Sequence, residues 1–582
     1  MVDNWIPVNL KNCFPLIFRQ SPPSAGPFFS GLTAYDSRFT IHVFRFTFYV
    51  WHPLPHTPGQ MSKRFYISTA IDYVNGQPHL GHAYEKIVAD VIARFRRAAG
   101  EDVFFLTGLD EHGQKVQQAA QKTGQPPQAY CDALAGDWKD FVGRIQLTND
   151  DFIRTTEPRH KAVVQAILSK LQAEGHFYKA PHQGWYSPRE ETFLTEKDRL
   201  PDGTFAPEWG EVMELSEDNY YFKLKAHQQW LIDHIEAHPG FITPSQHRNA
   251  VLGFLKNNTL EDLCITRPAS RLNWGIPLPF DPAFVTYVWF DALVNYVSVP
   301  AALGDPAVGA ALGAPAKSPA SGSLELWPAT VHLIGKDILK FHAVYWPIML
   351  KAMGLALPEK ILVHGWWQKD GAKISKATGN IVEPLKVIDE WGVDAFRYYV
   401  VRELNIGPDG NWTDAGFAAR YQAELANGLG NLVNRSLSML KRYRNGVVPK
   451  ASDELAPDAA QALTDATQHL RAFELQSALE SIWRLVTRAN QYVDQTAPFK
   501  IAKDPAQAAR LDEVLYNLAE TCRVLAVLLS PFMPSLSAKI YGQLSLPGSP
   551  QHWSDAAWGK LSAGHTIGEP APLFPRKDLE VR

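Results

Sequence analysis

Two short segments hold residues able to work on a nucleotide. His79-Leu80-Gly81-His82 follows Asn75-Gly76-Gln77-Pro78, where an apolar strand pattern gives way to a helical one. Two imidazoles on the first turn of a helix face its positive dipole end, and Gly81 lets a phosphate come close, so they could donate hydrogen bonds as charge builds on an α-phosphate. A histidine pair at i, i+3 can also be a plain capped helix start or a metal half-site. Its position directly after a strand favours the phosphate reading. Far downstream, Lys373-Ile374-Ser375-Lys376 lies between Gly371 and Gly379-Asn380. Two lysines on a glycine-hinged loop can close over a triphosphate and neutralise departing pyrophosphate, the electrostatic work that adenylyl transfer most needs. Alone, such a charged loop is usually a solvated turn.

Residues so far apart need a frame to bring them together. Phe65 to Ala70 reads as a strand, a turn follows, a helix is expected from about His79 to Ala99, and a second strand from Asp102 to Gly108. The pattern returns at Ala329 to Ile334 with a helix from Asp337, and at Lys360 to Val363. We therefore expect an α/β fold, a Rossmann-type doubly wound parallel sheet. Residues 61–178 and 274–360 would form its two halves, 179–273 an inserted connective subdomain, and 361–413 a linker carrying the lysine loop. From Asp414 a 3.6-residue period sets in, as at Leu425, Leu429, Leu432 and Val433, so 414–565 should be an all-α helical bundle, with 566–582 a tail. Ala302 to Ser323, dominated by Ala, Gly, Pro and Ser, is expected as a surface loop. Residues 1–60 are rich in Pro, Phe and His and lack periodicity; we expect Met61 to be the true start.

Composition narrows the class. The chain is 46% hydrophobic and 20% charged, which at roughly 150 residues per domain suits several well-cored units. No apolar run approaches the roughly 18 to 20 residues of a membrane helix, so a soluble protein with no membrane partner is expected. The four cysteines lack paired spacing, which fits a reducing, cytoplasmic setting. With a formal net charge of -3, any nucleic-acid contact must come from a local patch.

Taken together, the two segments match in order, spacing and context the HIGH and KMSKS signatures, and from Arg64 onward the chain resembles the class I aminoacyl-tRNA synthetases. Three further segments look like the methionyl branch: Ala70-Ile71-Asp72-Tyr73, the aromatic run Tyr287 to Tyr296, and Gly335-Lys336-Asp337-Ile338-Leu339-Lys340-Phe341-His342. The resemblance implies a ligase that activates L-methionine with ATP and Mg2+ and passes it to the 3′ end of initiator and elongator tRNA(Met). It implies catalysis by His79, His82, Lys373 and Lys376, and ATP binding by these with Gly81, Arg267, Gly335, Asp337 and the main chain around Trp367. It places methionine among Ala70, Ile71, Tyr73, Asp110, Trp289, Ala292, Tyr296, Ile338 and His342. The chemistry agrees: aromatic walls add roughly 0.3 to 1.5 kcal/mol per thioether contact, and an ammonium wants a carboxylate. Without the signatures, Tyr287 to Tyr296 would read as an aromatic core segment and Arg267 as a surface ion pair. Asn431 and Arg435 match the family's anticodon-reading helix, and Phe499 stands where the family usually has Trp; Phe stacks on a base but lacks the indole donor.

The chain also departs from the family. Ala377 replaces the final Ser of the lysine signature, so altered loop dynamics with retained activity are expected. Where many methionyl enzymes carry a zinc knuckle, the sequence reads Tyr186-Ser187-Pro188-Arg189-Glu190 and Ala206-Pro207-Glu208-Trp209, so no structural zinc is expected, and Trp185, Phe193 and Trp209 should hold the subdomain. The insert is too short for a large editing domain. No appended oligonucleotide-binding barrel follows the helices, which suggests a monomer. Two rivals stand beside this reading. A small-molecule nucleotidyltransferase shares the H-x-G-H signature but lacks the aromatic pocket and helical domain; a tRNA-binding paralogue without catalysis has only Ala377 and the missing metal ligands in its favour.

Overall fold

The computed structural model describes residues 64–74, 76–189, 192–194, 196–313, 325–374 and 380–577, with only the main chain at His182, Gln183, Thr192, Phe193, Lys197 and Lys373. The expectations for residues 1–60, Met61, Lys376 and Ala377, and for the side chains of Phe193 and Lys373, lie outside this description.

The N-terminal half is built on a parallel sheet of seven strands. Val103–Asp110 pairs with Phe65–Thr69 and its continuation Asp72–Tyr73 on one side and with Asp151–Arg154 on the other; Val331–Gly335, Ile361–His364 and Ile242–Thr243 continue the order beyond Phe65–Thr69. The first strand shows why these residues form it. Phe65 and Ile67 enter the core against the helix Leu80–Ala98, while Tyr66 enters the core on the opposite face, the period-two alternation of a sheet buried on both sides.

Two expected boundaries move. The segment 179–273 is not one insert. An antiparallel sheet led by Phe177–Ser187 and Met213–Phe222 stands apart, but Gln228–Ala237 and Ser245–Asn257 are helices that bury Leu231, Ile235, Val251 and Leu255 in the sheet's core, and Ile242–Thr243 between them extends the sheet. A two-residue strand carries no periodicity, so only tertiary pairing reveals it. Within Ala302 to Ser323, Pro306–Ala311 is a helix, because the buried Asp305 carboxylate caps the amides of Ala307 and Val308 and also holds those of Leu326 and Trp327. The residues after Gly335 are helical, but in three pieces: a 3-10 turn at Lys336–Ile338, a π-turn at Phe341–Tyr345 and an α-helix at Trp346–Met353. In the antiparallel subdomain the Arg199 guanidinium lies 3.8 Å from the Trp185 ring centroid and 5.2 Å from that of Phe205, and Ser187 donates to the Trp209 carbonyl at 2.6 Å.

The C-terminal half is helical, with Leu475–Thr496 and Ala508–Leu529 as its long members. It folds back on the sheet domain through one fully buried cation. Arg397 donates to the carbonyls of Ile145, Pro531 and Phe532 at 2.9, 3.0 and 2.9 Å and to Asp90 at 2.7 Å, so a helix of the sheet domain, a linker helix and the end of Ala508–Leu529 meet on one guanidinium. Residues 566–577 are packed against the helices: Ile567 and Leu573 are buried, and Tyr421 donates to the Pro575 carbonyl. Removing one partner of a buried pair leaves an uncompensated charge, which costs about 3–5 kcal/mol. Arg397→Ala should therefore lower the unfolding free energy obtained from urea titration by an amount of that order, with a lower midpoint; an unchanged unfolding curve would count against this role.

Candidate active site

A cavity of about 630 Å³ opens at the carboxyl ends of the central strands, where a doubly wound sheet presents its crevice. The structure brings to its wall every residue expected to hold the amino acid: Ala70, Ile71, Tyr73, Asp110, Trp289, Ala292, Tyr296, Ile338 and His342. His79, Gly81, His82, Gly335, Asp337 and Trp367 line it as well.

The helix Leu80–Ala98 begins with two imidazoles capping each other's backbone. His79 Nδ1 accepts from the Gly81 amide at 3.1 Å, and the His79 amide donates to His82 Nδ1 at 3.1 Å; the rings stack with centroids 3.6 Å apart. Because each Nδ1 accepts, each ring carries its hydrogen on Nε2. The cap thus sets two neutral imidazoles with known donor atoms at the cavity wall. His82 Nε2 lies 3.8 Å from Asp72 Oδ1, and the other Asp72 oxygen meets the ammonium of Lys86, one turn further along the helix and fully buried. Burial lifts Asp72 to about 6 against the pull of Lys86.

The deep end is aromatic. Tyr296 and His342 share a hydrogen bond of 2.8 Å at His342 Nε2, and His342 Nδ1 lies 3.0 Å from the Ile338 carbonyl. The carbonyl can only accept, so Nδ1 carries the hydrogen and the tyrosine hydroxyl donates to Nε2. Burial holds the imidazole down to about 4, so it stays neutral. Trp289 stacks on Phe341 at 3.7 Å, and Tyr296 is kept in place by Tyr66, which donates to its carbonyl at 2.9 Å. Such a wall is uncharged and polarisable. Asp110, buried at the end of its strand, brings a carboxyl group to the same cavity.

The remaining rim suits a ribose and a base. A Cβ on Gly335 would fall 2.5 Å from Asp337 Oδ1, and one on Gly365 would fall 1.9 Å from the Pro408 carbonyl, so glycine at both positions is what lets the strand ends open onto the cavity. Asp337 accepts from the indole N–H of Trp366 at 3.2 Å. Asp409 in turn accepts from the Trp366 amide at 2.8 Å and pairs with Lys336, whose ammonium lies 4.2 Å from the centre of the Trp366 ring.

Sequence reasoning missed Asp72 with Lys86, and Glu85 with His364. Their types are ordinary and only the fold makes them neighbours, so no local signal marks them. His364 Nε2 lies 3.1 Å from Glu85 and its Nδ1 2.8 Å from the Gly365 carbonyl. Burial opposes a charged ring there, but the Glu85 hydrogen bond and charge outweigh it, and His364 is raised above its ordinary 6.5. Among the described side chains, Arg267 is the one expected at the cavity that does not line it. It is buried behind Tyr287, its guanidinium 4.6 Å from that ring and donating to the Thr266 carbonyl at 2.7 Å, because the antiparallel pairing of Thr266–Pro268 with Asp281–Thr286 turns it into that layer. Lys373 pairs through its main chain with Gln368 of the cavity wall, and Ile374 reaches the cavity.

A second group lies in the helical domain. Asn431 and Arg435 share one face of the helix Asn431–Arg444, Arg435 lies 3.5 Å from Asp494 of the helix Leu475–Thr496, and Phe499 just beyond is 44% exposed.

The titrating groups give a direct check. The NMR titration of the His342 ring should centre on about 4 and that of His364 above 6.5, with Glu85→Gln removing the upward displacement. The His364–Glu85 contribution to stability is complete below the unfolded value of 6.5 and is lost as pH rises through the folded one. A His364 midpoint at or below 6.5 would contradict the pairing.

Comparison with known proteins follows the same lines. The family described as tRNA synthetases class I (M) matches residues 65–204 and 209–437, and the anticodon binding domain of methionyl tRNA ligase matches 444–580. The methionine–tRNA ligase of Fusobacterium nucleatum subsp. nucleatum is 42% identical over 532 residues, spanning 89% of this chain and 81% of that protein. That of Bacillus subtilis is 38% identical over 541 residues, 90% and 79% of the two chains. Among solved structures, Mycobacterium tuberculosis methionyl-tRNA synthetase bound by methionyl-adenylate superposes with a TM-score of 0.80 at 35% identity, covering 88% of this chain and all of that one.

Proposed function

Because this chain belongs to the methionyl family of class I tRNA synthetases, we propose that its strand-end cavity is where methionine and ATP react and that the residues around it divide the work as follows. The reaction is activation of L-methionine by ATP to methionyl-adenylate, followed by transfer of the methionyl group to tRNA. The observation that carries the assignment of roles is the convergence on one cavity of a neutral aromatic pocket, a buried carboxylate and a helix start bearing two oriented imidazoles.

The thioether enters between Trp289, Tyr296 and His342, all uncharged, while Asp110 takes the ammonium; a sulfur among rings gains dispersion that a polar wall would not supply. The carboxylate then faces the helix start. Mg-ATP lies along the rim with its ribose on Asp337 and its α-phosphate at the Nε2–H groups of His79 and His82. In-line attack by the carboxylate oxygen on the α-phosphorus forms the mixed anhydride and expels pyrophosphate, and no protein nucleophile takes part. Developing charge on the phosphate is met by hydrogen bonds fixed before substrate arrives, which lowers the reorganisation cost of the step. Lys373 and Lys376 would neutralise the pyrophosphate. The terminal ribose hydroxyl of tRNA next attacks the acyl carbon, and AMP leaves. Asn431, Arg435 and Phe499 offer planar groups to unstacked anticodon bases of initiator and elongator tRNA(Met).

The working unit of this reading is a monomer. Free thiols at Cys131, Cys264 and Cys522 suit the reducing cytoplasm, and no described helix is long and apolar enough to cross a membrane. The antiparallel subdomain is read as held by the Trp185, Arg199 and Phe205 cluster without zinc.

Methionine-dependent exchange between pyrophosphate and ATP tests the whole assignment. It should be present in the wild type and at least about 100-fold slower in Lys376→Ala, the size of effect expected when one pre-set charge contact is removed; absence of exchange with methionine would sink it. Arg435→Ala should leave exchange unchanged while lowering kcat/KM for tRNA charging by about tenfold or more, the 1–3 kcal/mol of a specific base contact. Equal charging by both proteins would remove Arg435 from the anticodon site.

A further inference from the structure

The pocket for the amino acid is assembled from two elements that share no strand pairing: the end of Val103–Asp110, which brings Asp110, and the helix Val288–Leu293, which brings Trp289 and Ala292. One side chain joins them. Asp291, with no exposed surface, lies next to Ala292 and uses both carboxylate oxygens on imidazoles. Oδ2 lies 2.6 Å from His112 Nδ1, two residues beyond Asp110, and Oδ1 lies 2.6 Å from His160 Nε2 on the helix Pro158–Ala173. His160 continues through Nδ1 to Ser298 at 2.9 Å, on the helix that also carries Tyr296. Burial raises the cost of charge at Asp291, but the two imidazoles outweigh it and hold the carboxyl down to about 2, so it is ionised throughout the physiological range.

We propose that Asp291 is a positioning residue for substrate selection: by clamping His112 and His160 it sets the separation between Asp110, which takes the ammonium, and the Trp289–Ala292 wall, which takes the side chain. The inference rests on the pocket assignment made above. It follows from geometry. A substrate gripped at both ends is measured by the distance between the grips, and here that distance is carried by short charge-assisted hydrogen bonds between three elements. Asp291 touches neither the ammonium nor the thioether, so its loss should loosen the gauge without removing a contact. Glu111, between Asp110 and His112, turns instead to Arg154 and Thr156, which ties the same strand end to the neighbouring strand and leaves the clamp as the link to the helix.

The test is exchange kinetics in Asp291→Asn, which keeps the shape and loses the charge. The KM for methionine should rise at least tenfold while the KM for ATP stays within twofold. The preference in kcat/KM for methionine over L-ethionine, one methylene longer, should fall at least fivefold. His112→Gln, which breaks only one of the two bonds, should shift the methionine KM in the same direction by a smaller factor, and it carries the test if Asp291→Asn does not fold. A loss of kcat with unchanged methionine KM, or an equal rise in both KM values, overturns the proposal. Trp289→Ala separates this failure from that of the pocket itself. If it raises the methionine KM while the Asp291 and His112 variants do not, the clamp is wrong and the pocket stands; if it too leaves the KM unchanged, the pocket assignment falls with the clamp.

Discussion

The chemistry proposed for this protein depends on how one helix starts. A helix leaves its first amides without partners, and here two of those obligations are met by imidazole nitrogens rather than by a serine or aspartate. Meeting them commits Nδ1 of both His79 and His82, so the backbone of Leu80–Ala98 decides which ring atoms face a phosphate. A carboxylate cap would satisfy the same amides but would put negative charge where a triphosphate must come. The requirement of the helix and the requirement of the reaction are therefore satisfied by the same two side chains.

Charge elsewhere in the cavity is sorted by the same logic of burial against partnership. His342 and His364 are both buried imidazoles, yet burial holds the first down and neutral, while the Glu85 carboxylate raises the second above its ordinary value. The neutral ring belongs to the deep aromatic end; His364 pairs with Glu85 of the helix Leu80–Ala98. Placing uncharged walls at one end and paired charges at the other lets one cavity hold a thioether and a polyanion.

Much of this was legible from the residues. The βαβ frame could be read because Phe65, Tyr66 and Ile67 alternate between two cores, and the pocket segments because their aromatic residues fall in short runs. What could not be read depends on chain topology. Ile242–Thr243 is too short to carry a pattern and becomes a strand only by pairing with Ile361 and Leu362. Glu85 meets His364 across 279 positions, and Asp291 meets His112 across 179; neither partner differs from an ordinary helix or strand residue until the sheet is closed. Arg267 shows the converse: a motif match identified the residue, but strand register decided that it faces Tyr287 and not the cavity.

The guanidinium of Arg397 bears on how such a molecule can be divided. A map of the sequence suggests a natural cut point between the sheet domain and the helices, as though either could be exchanged with a relative's. Yet Arg397 takes its acceptors from both sides of that cut, and Asp90 lies on the helix that carries His79 and His82. A chimera that replaced the helical half would have to reproduce the carbonyls of Pro531 and Phe532 in place, or strand a cation inside the catalytic half. A working division of the chain therefore has to keep Arg397 together with its acceptors from both halves.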